Sequence, residues 1–232
     1  MRADLTKSPP TVTAMFDQVA ECYDKVNRIL SVGLDSYWRR ATVKAIDPLP
    51  GERVLDLAGG TGTSAIALAE LGANVVCADR SAGMLAVAAK RAVPAALVLA
   101  DATDLPFVDE TFDVVTVSFG LRNLADPLAG LREMWRVTKP GGRLVICEFS
   151  PPGNDCLGWA HRLYLQLGLP LLARLATGSA AAYQYLAESI IAWPDQRAVA
   201  DLISQAGWRR VSYRDLSTGV VALHRAWRGA AD

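Results

Sequence analysis

The stretch VLDLAGGTGTSA, Val54–Ala65, decides how this chain is read. Apart from Asp56, its first residues are apolar, as suits a strand buried on both faces. The glycines make a tight turn, and TSAIALAEL then continues with helical texture until Gly72. A strand that passes through a glycine turn into a helix opens a parallel βαβ unit. The alternation persists downstream. NVVCAD (74–79), ALVLAD (96–101), FDVVTVSF (112–119) and GGRLVICEF (141–149) read as strands. Between them lie a helix capped by Ser81 and another opened by Asp126 and Pro127. The expected fold class is α/β, a doubly wound Rossmann-like sheet covered on both faces.

Upstream, Phe16, Val19, Tyr23, Val26 and Leu30 recur at spacings of 3 and 4, which predicts one amphipathic helix beginning after Thr13. A second helix is expected over about Tyr37–Ile46. Residues 151–192 carry few charges and interrupt their helices with Gly and Pro; they read as a helical insertion, a lid. After Trp193-Pro194 come a helix and two β-rich segments, 208–216 and 220–227, expected as a terminal hairpin. The chain therefore reads as a single domain: a helical cap (1–50), a cofactor-binding core (51–150), the lid (151–192), and a closing helix and hairpin (193–232).

With 232 residues, 51% of them hydrophobic, the chain can bury a sizeable core. Its 24 basic and 24 acidic residues cancel and no basic run occurs, which argues against a nucleic-acid partner. Cys22, Cys77, Cys147 and Cys156 lie far apart, with only His161 and His224 to join them, so no metal site is expected. Small thiols suit a reducing, cytoplasmic compartment. The N-terminal segment lacks the apolar centre of a signal peptide, and the longest uncharged apolar run, Leu163–Ala173, is far short of the ~20 residues that span a bilayer.

Gly60-x-Gly62-x-x-Ala65, with Asp79 downstream, fits the loose dinucleotide fingerprint, and an NAD(P)-binding oxidoreductase is one reading. A second is a non-catalytic binder on the same fold. The acids favour a third. Asp56, Asp79 and Asp101 end three consecutive strands and converge on one crevice. Such a rim repels a pyrophosphate and welcomes a cation that carries a ribose. S-adenosylmethionine fits. Gly59 and Gly62 would admit its amino-acid end, Thr61 would donate to its carboxylate, and Asp79 would accept both ribose hydroxyls. Asp101-Ala102 would meet the adenine.

The chain also resembles the menaquinone/ubiquinone biosynthesis C-methyltransferases. The stretches that carry the resemblance are MFDQVAECYDKVNRILSVGLDSYWRR, VLDLAGGTGT, DVVTVSFGLRNL, KPGGRLVICEFSPP and YQYLAESIIAWPDQ, and it spans about residues 14–227. Thr63, where many relatives carry Asp, and Trp193, often Phe, depart from the pattern. The resemblance implies a class I S-adenosylmethionine-dependent methyltransferase sheet and a prenylated quinol substrate. It also implies donor contacts from Thr61, Asp79, Asp101, Ala102 and Ser118. Overall similarity favours demethylmenaquinol over the methoxybenzoquinol of ubiquinone biosynthesis.

SFGLRNL, Ser118–Leu124, follows the fourth strand with a permanent cation. Ring methylation needs an ionised quinol, because a phenolate pushes electron density onto the neighbouring carbon. A fixed guanidinium at Arg122 would favour that phenolate. Asn123 would hold the second oxygen and Tyr23 would close over the ring; the resemblance points to the same Arg and Tyr as catalytic. Arg122 is too basic to accept a proton itself, so a water held by Arg122 and Tyr23 is the expected carrier. The plain structural alternative for Arg122 is a salt bridge to Asp126 or Glu133. A prenyl tail must come from a bilayer, so the N-terminal helix and HRLYLQLGLPLLARL, the latter with His161, Arg162 and Arg174 at its flanks, could form a wall or lip for it, a buried amphipathic lid or a dimer contact being the equal alternative. Peripheral contact with the inner face of the cell membrane follows from that reading. A homodimer through 151–192 is a further expectation.

Overall fold

The computed structural model describes residues 8–153, 158–159, 163–168 and 180–229. His161, Arg162, Arg174 and Cys156, for which the sequence raised expectations, and most of 151–179 lie outside the described residues.

The alternating segments build a seven-stranded sheet. Its strands are β1 (Arg53–Leu57), β2 (Asn74–Asp79), β3 (Ala96–Leu99), β4 (Phe112–Ser118), β5 (Thr138–Phe149), β6 (Arg209–Leu216) and β7 (Val221–Trp227), in the order β3-β2-β1-β4-β5-β7-β6. All neighbours pair in parallel except β7, which lies antiparallel between β5 and β6. The chain winds outward from β1 through β2 to β3, then returns to β4 on the other side. That reversal between β1 and β4 leaves a crevice at their carboxyl ends.

Alternate residues of each strand serve opposite faces. Leu55, Leu57, Val115, Val117, Leu144 and Ile146 join one apolar cluster; Val54, Val75, Cys77, Val114 and Val145 join the other. The first cluster is covered by α6 (Pro127–Val137) and α8 (Gln196–Gln205), the second by α3 (Leu34–Ile46), α4 (Thr63–Glu70) and α5 (Ala82–Lys90). Both faces are buried, which explains why the strands read as largely apolar runs.

The N-terminal region differs from its sequence reading. Instead of one helix there are two, α1 (Pro9–Val19) and α2 (Tyr23–Leu30), joined by a tighter turn at Ala20–Cys22. Pro9 stands in the first turn, where its missing N–H costs nothing, so α1 begins ahead of Thr13. The tighter turn lets one apolar stripe pack against α7 (Ala180–Ile191) while α2 lies against α3 and the glycine turn; Val12, Met15, Val26, Leu30, Tyr183 and Tyr185 meet in a third cluster. β5 also begins earlier than expected, at Thr138. It absorbs the Lys139–Gly142 stretch through a bulge opposite Phe112 and Val114.

Candidate active site

The crevice opens into a cavity of about 850 Å³. Asp56, Gly59, Thr61, Asp79, Asp101, Ala102 and Ser118 line it, with Tyr23, Arg122 and Asn123. One member of the expected set is missing. Gly62 does not line the cavity: it is buried at φ +76°, and a Cβ there would stand 2.7 Å from the Val93 side chain. Its glycine is required by the start of α4, not by a ligand. Gly59 does meet the cavity, and a Cβ on it would stand 2.4 Å from Cys77 Sγ and 3.2 Å from Asp56 Oδ2.

The three strand-end acids are in different states. Asp56 is 1% exposed, and its Oδ2 has no hydrogen-bond partner. Burial pushes its carboxyl up to about 7, with Asp79 adding to the shift and Arg39 opposing it. Asp79 is also raised by burial, although its oxygens accept from the N–H groups of Ser81 (2.8 Å) and Gly60 (2.9 Å). For Asp101, burial is outweighed by two bonds from Thr103 and by Arg80, whose Nη1 is 3.0 Å away, so its carboxyl lies below the usual range. An orphaned carboxylate oxygen beside a glycine cradle fits a cationic ligand with an ammonium group, whose N–H would supply the missing partner.

Thr61 is not free to donate as the sequence suggested. Its hydroxyl donates to Asp24 on α2 (2.8 and 3.0 Å), and Thr63 donates to the same carboxylate at 3.2 Å. Arg91 Nη1 completes the knot, 2.7 Å from Asp24 and 3.1 Å from the Thr61 carbonyl. A second acid, Asp17 on α1, accepts from Ser81 Oγ (2.5 Å) and the Gly83 N–H (2.8 Å) at the start of α5. Glu21 pairs with Lys90. The helical cap is thus fastened to both helices that begin at the crevice. Nothing in the sequence pattern singled out Asp17 or Asp24, which lie on the polar side of an amphipathic stripe.

Arg122 follows β4 in a short helical turn, Leu121–Asn123, and is 4% exposed. The bridge to Asp126 or Glu133 does not form: Asp126 caps α6 through the Ala129 N–H, and Glu133 pairs with Arg136. The partner is Glu148 at the end of β5, 2.8 Å from Nη1. Nη1 also donates to the Phe119 carbonyl at 2.6 Å, Nε to Ser189 on α7 at 3.4 Å, and the guanidinium lies 5.1 Å from the Phe149 ring centroid. Burial raises the Tyr23 phenol; Arg122 and a hydrogen bond with Asn27 pull the other way. Asn123 is engaged at both ends, its Nδ2 donating to the Phe119 carbonyl at 3.3 Å and its Oδ1 accepting from Tyr185 at 3.2 Å. Leu165, expected at a membrane lip, is buried beside α1 and α7.

The sequence profile of the ubiE/COQ5 methyltransferase family matches residues 4–228. The chain belongs to this family. A protein named demethylmenaquinone methyltransferase from Mycolicibacterium paratuberculosis is 55% identical over 227 residues, covering 98% of each chain. Another of that name, from Clavibacter sepedonicus, is 52% identical over 233 residues, covering 99% of this chain and 95% of its own. Among solved structures, a SAM-dependent methyltransferase from Thermotoga maritima superposes with a TM-score of 0.67 at 20% identity, over 94% of this chain and 99% of that one, and so shares the fold. As a member of the family this chain is a methyltransferase of the class I, Rossmann-like type, with S-adenosylmethionine as its methyl donor.

Proposed function

We propose that this methyltransferase converts demethylmenaquinol to menaquinol, the last ring methylation of menaquinone biosynthesis. The observation that carries the reading is the similarity, over nearly the whole chain, to two proteins of that name. When bound, the donor supplies an electrophilic methyl group on a sulfonium. In this reading Asp56, Gly59, Asp79, Asp101, Ala102 and Ser118 hold it, and the raised carboxyl of Asp56 ionises against its positive charge.

The residues opposite ready the acceptor. Nε and Nη1 of Arg122 are occupied, while Nη2 has no bond among the described residues; in this mechanism Nη2 meets the quinol oxygen and favours its anion. Tyr23, kept protonated by burial, donates to the same oxygen. Asn123 reaches the second oxygen by releasing its longer contact, to the Phe119 carbonyl. A water between Arg122 and Tyr23 takes the proton that the methylated ring carbon sheds. Apolar residues of α1 and α7, including Val12, Met15, Phe16, Val19, Leu186 and Ile190, line the remaining cavity and suit a prenyl tail. They also exclude water from a step in which opposite charges cancel.

No helix among the described residues is long and apolar enough to cross a membrane. Around the α2–α3 turn, however, Ile29, Val32, Leu34 and Tyr37 are exposed, and Val32 and Leu34 also line the cavity. This rim supports peripheral contact with the bilayer that holds the substrate, and Val32→Glu should weaken co-sedimentation with liposomes. The same reading pairs two copies through residues 151–192; a monomer at all concentrations in sedimentation velocity would rule that out.

The deciding experiment supplies methyl-labelled donor with reduced demethylmenaquinol and, side by side, the demethylated methoxybenzoquinol. Label is expected chiefly in the naphthoquinol. Higher kcat/KM on the benzoquinol would move the chain to ubiquinone chemistry, and label in neither would overturn the function.

A further inference from the structure

Glu148, the last residue but one of β5, lies beside the tip of β4 and is 1% exposed. Its carboxylate holds Arg122 at two points. Oε1 accepts from Nη1 at 2.8 Å, and Oε2 accepts from the Arg122 backbone N–H at 3.2 Å. Oε1 also accepts from the N–H of Phe149, whose ring lies beside the guanidinium. Glu148 itself is absent from the cavity wall, whereas Arg122 belongs to it. A guanidinium this deeply buried needs a counter-charge, since an unpaired buried ion is strongly destabilising. The two-point grip does more than neutralise: it ties the direction of the fork to the backbone that carries it.

We propose that Glu148 is a positioning residue for the methyl transfer, turning the Arg122 guanidinium so that Nη2 meets the ring oxygen and moderating its charge there. This rests on the role given to Arg122 under the proposed function. Two consequences differ in kind. Gln in place of Glu148 keeps the shape but removes the negative charge, so the uncompensated cation stabilises the bound phenolate more strongly. The rising limb of kcat against pH then moves to lower pH while the plateau falls, because the fork is held by weaker bonds. Asp in place of Glu148 keeps the charge but draws it back by one methylene, so the plateau falls and the limb stays. The other groups that face the pair are the Tyr23 phenol on α2 and the Ser189 hydroxyl on α7; the neighbouring Cys147, whose thiol burial pushes up to about 12, lies on the opposite face of β5. None of these carries a charge in the range where the limb is read.

The test measures kcat against pH at saturating donor for wild type, Glu148→Gln and Glu148→Asp, with donor affinity from calorimetry. The expected result is a plateau about tenfold lower or more in both variants. The limb should move about one pH unit downward in Glu148→Gln alone, with donor affinity unchanged. Guanidinium ¹⁵N spectra give a reading without turnover: the Arg122 signals, assigned by their loss in Arg122→Lys, should be separated in wild type and averaged by rotation in Glu148→Asp. Wild-type plateau and limb in the folded variants would overturn the proposal, as would equal loss of donor binding in both. If Glu148→Gln does not fold, Glu148→Asp and the spectra decide alone, and unchanged kcat with separated signals overturns it. If the wild type methylates neither quinol, the proposed function falls and the spectra still judge whether Glu148 orients Arg122.

Discussion

Asp56 is buried where an isolated carboxylate is costly, and this makes it a sensor of the donor. Folded, it holds its proton up to about pH 7, against an ordinary value of 3.8. A folded state that binds a proton more tightly than the unfolded one gains stability below the unfolded value and loses it as pH rises through the folded one. The donor-free protein should therefore lose thermal stability between about pH 4 and pH 7. Asp56→Asn should flatten that slope, as calorimetric scans across the range will show. The donor's positive charge favours the ionised acid, so donor affinity should rise as pH climbs towards 7 in wild type, level off above it, and show no such rise in Asp56→Asn. At Arg122, Lys keeps the charge but loses the fork that bonds Glu148, Phe119 and Ser189. Steady-state kinetics of Arg122→Lys should show kcat lower by about 10²-fold or more, with donor affinity unchanged in calorimetry. The sequence made Arg122 conspicuous as a charge after an apolar strand. It could not name the partner, because Glu148 is 26 residues away and reaches Arg122 only once β5 lies beside β4.

The element that shapes the crevice is the start of α4. Gly62 holds φ +76° with Val93 against it, so Gly62→Ala meets both backbone strain and a steric clash. Urea unfolding should show a loss of about 2–4 kcal/mol. Because Gly62 faces Val93 instead of the cavity, any variant that folds should bind the donor through an otherwise intact wall. The helical cap makes a different case. Periodicity found its apolar stripe but merged two helices into one, since the Ala20–Cys22 turn keeps the spacing while changing the axis. Its acids fasten it to α4 and α5, and Asp24 is the centre of that knot. Removing it by Asp24→Ala should loosen α1 and α2 more than the sheet. Hydrogen exchange should then rise over residues 9–30 and stay near wild type in β1 and β4.

At the scale of the whole molecule, stability rests on a sheet clad on both sides. Trp208, 1% exposed, fills the first face and donates Nε1–H to the Leu131 carbonyl at 3.1 Å, joining the start of β6 to α6. Trp208→Ala should cost about 3–5 kcal/mol in equilibrium unfolding and should lower Tm without moving kcat at temperatures where the variant remains folded. The order of the sheet was only half legible. Apolar strands alternating with helices imply a parallel, doubly wound sheet, and a final β-rich pair implies a hairpin. That the hairpin's last strand slips in beside β5, leaving β6 at the edge, follows from which apolar faces fit and not from local pattern.

The sequence by itself determined the alternation of elements, the glycine turn after β1, and the placing of Asp56 and Asp79 at strand ends and of Asp101 just past the shorter β3 (Ala96–Leu99). These are local properties, recorded in residue spacing and in the conformations that glycine alone adopts readily. Only the tertiary structure decided which charges meet: Arg122 with Glu148, Asp24 with Thr61 and Arg91, Asp17 with Ser81. It also withdrew Gly62 from the cavity and divided the three acids into a raised pair and a lowered third. Partnership and burial depend on which strands become neighbours, and periodicity along one chain holds no record of what lies across the sheet.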